Sequence, residues 1–138
     1  MTIKYLQLQP GSILPDNSSL NPFRAIVIID EESSPEWQSQ VSDWLVTSGC
    51  LCMMAWGKDC NSWDDSVDYA NLDKFNFGEM PDEKFVITTW HERETLTEVF
   101  WYSKNCAIHP TVELSNTLIL HLACNSKEKS FLSEHANA

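Results

Sequence analysis

The run Ala25-Ile26-Val27-Ile28-Ile29 limits what this chain can fold into more than any other feature. Side chains on a strand alternate between its two sides, so five consecutive apolar residues, four of them β-branched, leave no wet face. Such a strand belongs in a sheet covered by helices on both sides. Cys50–Trp56 repeats the pattern, and Phe85–Trp90 and Thr117–Ala123 supply third and fourth strands.

Helix signals separate these strands. Ser34 stands at an N-cap, Pro35 at the first helical position and Glu36 in the first turn. Trp37, Val41, Trp44, Leu45 and Ser48 then form one stripe, and Gly49 follows as the stop. A second helix is predicted from Asn61 to about Asp73, capped by Ser62, with Trp63, Val67 and Ala70 on its stripe. Thr95-Leu96-Thr97-Glu98 has the spacing of a capping box, opening a helix with Leu96, Val99, Phe100, Ser103 and Cys106 on one side.

Strands alternating with helical crossovers predict an α/β fold: a small three-layer sandwich with a four- to five-stranded, mostly parallel sheet. By analogy with flavodoxin- and Rossmann-like folds, the four core strands are expected in the order 2-1-3-4. The 138 residues suit a single domain. Residues 1–22 read as an irregular lead-in that admits an edge strand at Ile3–Leu8. Residues 23–124 form the core. Residues 125–138 form a polar tail with room for a short helix at Ser130–His135.

Charge narrows the function classes. The net formal charge is −11, and residues 30–98 hold 16 acids against four basic residues, a net of −12. Residues 1–29 carry +1 and residues 99–138 are neutral. Phosphate binding is electrostatically opposed, so no nucleic acid is expected. Neither a membrane-spanning run nor a signal-peptide stretch is present, which points to a cytoplasmic protein. Five cysteines, an odd number, argue for free thiols rather than a disulfide framework.

In the expected strand order, ligands would meet the crevice between the first and third core strands. Asp30 and Glu31 follow the first strand, and Trp90, His91 and Glu92 end the third. Asp30, Glu31, His91 and Glu92 are hard donors suited to Mg²⁺ or Mn²⁺. Cys60, before a helix start, is a candidate nucleophile with His91 as its base, although Asp59, Asp64 and Asp65 oppose a thiolate there. Only four glycines occur, none close to another, which excludes dinucleotide and P-loop fingerprints. No cofactor is otherwise expected.

The stretch Met53-Met54-Ala55-Trp56-Gly57, then Cys60 to Asp68, together with Thr89-Trp90-His91-Glu92, resembles a set of small bacterial proteins of unknown function. The resemblance implies no activity. The leading expectation is therefore a module that docks a basic protein, as acidic immunity proteins and antitoxins do, through Trp56, Asp59, Trp63, Asp64, Asp65, Trp90, His91 and Glu92. The alternative is a small metal-dependent enzyme or ligand-binding domain at the same strand ends. The adjacent aromatics Phe100-Trp101-Tyr102 cannot all face one side of a helix, which suggests a homodimer contact there.

Overall fold

The computed structural model describes residues 2–138. Its strands are β1 (Thr2–Leu8), β2 (Phe23–Ile29), β3 (Cys50–Gly57), β4 (Ile87–Trp90) and β5 (Asn116–Leu122). Its helices are α1 (Pro35–Ser48), α2 (Cys60–Lys74), α3 (Leu96–Asn105) and α4 (Glu128–Asn137). The five strands form one parallel sheet in the order β1-β5-β2-β3-β4. The α/β three-layer class is as the sequence predicts.

The expected order 2-1-3-4 is corrected: the four core strands run 4-1-2-3, with β1 outside the fourth. The cause is which face each crossover helix takes. The residues Phe23, Ala25, Val27, Ile29, Met53, Ala55, Leu118 and Leu120 build a core beneath α1 and α2. Ile26, Ile28, Met54 and Ile119 build a second core with Leu96, Val99 and Phe100 of α3 and Phe131 of α4. Two right-handed crossovers on one face carry the chain from β2 through β3 to β4. A third, on the opposite face, must carry it back past β2 to β5.

The local signals act as chemistry requires. In α1, Ser34 Oγ accepts the Trp37 amide, and Gly49 closes the helix at φ 105°. Val41 and Leu45 are fully buried and contribute roughly 1.5–3 kcal/mol each. The indoles of Trp37 and Trp44 donate to the carbonyls of Ser12 and Pro15, which pins the lead-in across α1. The capping box of α3 forms in both directions.

Three boundaries move. The second helix starts at Cys60, behind a left-handed Asp59, and Ser62 lies inside its first turn with Oγ donating to the Asp59 carbonyl. The third core strand is shortened to Ile87–Trp90 because the Phe85 amide closes the 3₁₀ turn Asp82–Lys84 and the Val86 amide is taken by the Asn71 side chain. The tail is a ten-residue helix whose Phe131 and His135 pack edge-on against Phe100. No helix among the described residues is long and apolar enough to cross a membrane.

Candidate functional site

In a parallel sheet the natural site lies where strand order reverses. Here that is between β2 and β5. Asp30 follows β2, and its Oδ2 meets His121 Nε2 at 2.5 Å. His121 is a fully buried residue of β5. Its Nδ1 meets the Tyr5 hydroxyl of β1 at 2.7 Å, and that oxygen accepts the Lys127 amide at 3.0 Å. Because Lys127 N–H donates to the phenol, the phenol's own hydrogen is free for Nδ1. The imidazole proton then sits on Nε2, facing the Asp30 carboxylate. Phe131 stacks on the imidazole edge at 4.7 Å. The relay ties β1, β2, β5 and the start of α4 together, and it leaves Asp30 half-exposed with an oriented carboxylate.

By sequence alone His121, inside an apolar strand, reads as an ordinary core-edge imidazole, and Tyr5 falls in the lead-in. The two residues lie 116 positions apart, and only strand pairing brings them together. The one available signal was an imidazole inside an apolar strand.

The residues singled out from the sequence are divided by the sheet. Since β3 lies between β2 and β4, Asp30 and Glu31 stand two strand spacings, about 10 Å, from His91 and Glu92. Among the described residues no three His, Cys, Asp or Glu side chains converge in a metal-binding group. His91 is buried: Nδ1 bonds the Glu94 carboxylate, Nε2 meets Thr89 Oγ1 at 2.8 Å, and the ring packs edge-on to Tyr102. Cys60 belongs to the core on the other face, beneath α1 and α2. Burial pushes its thiol up, against a hydrogen bond from the His91 backbone and with the Glu92 charge adding to the rise. The two side chains therefore occupy opposite sides of the sheet.

The tryptophans divide likewise. Trp63 is buried under α1 and α2, and Trp56 is half-buried, donating to the Glu94 carbonyl at 2.8 Å. Trp90, at the end of the edge strand, is 51% exposed. On α3, Phe100 is fully buried and Tyr102 half-buried, so Trp101 alone faces outward.

What the fold does gather is negative charge. A groove of about 400 Å³ runs between α1 and α2, lined by Asp43, Asp65 and Asp73 with Ser39, Ser66 and Tyr69. The helices are joined at its floor by Ser42–Ser66 and Gln38–Ser62 hydrogen bonds of 2.7 and 3.0 Å. Tyr69 and Leu72 stand 62% and 42% exposed beside it. At the carboxyl ends of β2 and β3, a smaller cavity of about 240 Å³ is lined by Glu31, Glu32 and Asp59, with Lys58 the single cation. Among the described residues, no Lys or Arg side chain lies within 4.0 Å of an Asp or Glu carboxylate. The carboxylates that do meet a basic side chain meet imidazoles, Glu94 at His91 and Asp30 at His121.

On the side of α2 that meets β4, Asp64 is 5% exposed and its Oδ2 has no hydrogen-bond partner. Burial, then the neighbouring Asp68 charge, lifts its carboxyl from 3.8 to about 6, while the Thr88 hydroxyl works the other way. Thr88 Oγ1 also donates to Asp68 at 2.6 Å.

Compared with curated proteins and with solved structures, the chain finds no match in either. A family model described as Domain of unknown function (DUF7684) matches residues 3–138, nearly the whole chain, and the protein belongs to that family.

Proposed function

We propose that the protein is an interaction module that docks a basic segment of a partner protein along its α1–α2 face. The observation that carries this reading is the absence, among the described residues, of any Lys or Arg against an Asp or Glu carboxylate. Clustered surface acids are ordinarily interspersed with bases, and their mutual repulsion destabilises the compact state. On this face Asp43, Asp65 and Asp73 share one groove with an exposed tyrosine. A lysine or arginine side chain fits such a groove, its head between carboxylates and its stem against Tyr69. Lys74 lines the adjoining cavity with Asp43 and Asp73 and bounds the groove at its far end.

Of the residues named from the sequence, Asp65 lies in the groove, and Asp59, Trp90 and Glu92 are exposed at neighbouring strand ends. Trp63 and Asp64 are buried residues of α2, and His91 is buried on the α3 side of the sheet, so none of the three presents its side chain to the groove. Steering by the acidic half would accelerate association and make it salt-sensitive. An immunity or antitoxin role is one biological setting for such a surface.

The test is fluorescence anisotropy with a labelled Lys/Arg-rich peptide of about ten residues. Binding should weaken steeply with salt, and the double variant Asp65→Lys/Asp73→Lys should lose at least about tenfold in affinity, equivalent to ~1.4 kcal/mol. Affinity unchanged by this reversal would defeat the reading.

A further inference from the structure

The sheet has two free edges, and they differ in length, regularity and charge. At one edge β4 has four residues. Its His91 neighbour turns its amide inward to the Ala55 carbonyl, so in the alternation of a strand only Thr88 and Trp90 turn backbone groups outward. It belongs to the segment of net −12.

At the other edge β1 has seven residues, and its register with β5 is unbroken from Thr2–Asn116 to Leu8–Leu122. The Leu8 carbonyl accepts the Ala123 amide at 3.0 Å, so Leu8, Leu6 and Lys4 face β5. Ile3, Tyr5 and Gln7 therefore turn both N–H and C=O to the outside. Among the described residues these outward groups make no backbone hydrogen bond. Natural edges are commonly blunted by shortness, a bulge, proline or charge pointing into the open side. This strand has none of the first three, and its one charged side chain, Lys4, reaches back to Asn17 Oδ1.

Topology also sorts the charge. The neighbours of β1 are β5 and α4, within residues 99–138 of net zero, and residues 1–29 carry +1. The −12 segment runs from Asp30 through α1, β3, α2 and β4 into α3, and its β3, α2 and β4 lie toward the opposite edge. A second acidic copy is therefore repelled from β4 but meets no excess of like charge at β1.

We infer that β1 is a self-association edge at which a second copy of this chain pairs antiparallel, joining two five-stranded sheets into one. A two-fold axis at Tyr5 sets Tyr5 opposite its own copy and Ile3 opposite Gln7 of the second copy. The three outward residues of each chain then exchange about six main-chain hydrogen bonds. The acidic α1–α2 groove stays open in both copies, so the inference stands apart from the proposed function. The expected contact is also separate from the aromatic helix.

Sedimentation velocity of the full chain, up to about 200 µM and at about 150 mM salt, tests it. The mass should rise from 15.8 kDa toward twice that value. Ile3→Pro, which removes one outward N–H at an exposed position, should hold the chain monomeric with unchanged far-UV dichroism, whereas Ile3→Val should not. In the unmodified chain, amide exchange at Ile3, Tyr5 and Gln7 should slow with concentration while Lys4 and Leu6 stay protected throughout. A monomer at the highest concentration, or a dimer whose outward β1 amides exchange as fast as in dilute solution, overturns the inference. So does a dimer dissociated by Trp101→Ser but not by Ile3→Pro.

Discussion

Replacing Asp64 by Asn separates the charge of that side chain from its shape. The residue is 5% exposed, one of its oxygens is unpartnered, and its carboxyl is raised from 3.8 to about 6 by burial and then by Asp68. Between those two values the native chain binds more protons than the unfolded chain. Stability therefore falls as pH rises through that window, and the full penalty is present at neutral pH. About two pK units at 1.36 kcal/mol each set a ceiling of about 3 kcal/mol. An asparagine keeps the volume, and its amide can donate toward the Asp68 carboxylate, but it must itself be desolvated. The expected gain is about 1–2 kcal/mol at neutral pH, shrinking toward zero by about pH 4. For a chain of this length the melting temperature should rise by about 3–8 °C. Thermal and urea unfolding followed by far-UV dichroism at both pH values would measure it, with an unchanged urea slope. An Asp64→Asn chain no more stable than the parent at neutral pH would refute the reasoning, as would an offset that persists undiminished in acid.

Other consequences are more local. His121→Ala strips the relay between Tyr5 and Asp30 and opens a cavity under Phe131, so urea unfolding should register a loss of about 3–5 kcal/mol. Tyr5→Phe should lose only about 1–2 kcal/mol. Asn71 donates to the Lys84 carbonyl and accepts the buried Val86 amide, both at 3.0 Å. Asn71→Ala should therefore destabilise by about 2–3 kcal/mol and deprotect the Val86 amide in exchange measurements. Cys106 and Cys124 are exposed and Cys50, Cys52 and Cys60 buried, so Ellman's reagent should titrate two thiols in the native chain and five after unfolding. A fast third thiol would place Cys60 in reach of solvent.

The class of the fold was legible because Ala25–Ile29 and Cys50–Trp56 are apolar on both faces, which only a doubly covered sheet accepts. The caps at Ser34 and Thr95 were legible because capping is decided within one turn of chain. Strand order was not, since it depends on which face each crossover helix takes, and no single helix records that choice. The error moved the crevice by one strand, from His91 to His121, and with it the residues that meet Asp30. Likewise the start of α2 turned on Asp59 adopting a left-handed backbone, φ 55°, which an aspartate tolerates but does not announce. The acidity of residues 30–98 was plain from the sequence. That Asp43, Asp65 and Asp73 share one groove between α1 and α2 with no base against them depended on the topology.

The central claim is that this acidic helix pair is a docking face for cationic chain. A ¹⁵N–¹H correlation titration with the Lys/Arg-rich peptide tests it residue by residue. Shift changes should concentrate at Ser39, Asp43, Asp65, Tyr69 and Asp73, and they should fade as salt is raised. Changes concentrated instead on β1, β5 and α4, or none at any peptide concentration in low salt, would contradict it.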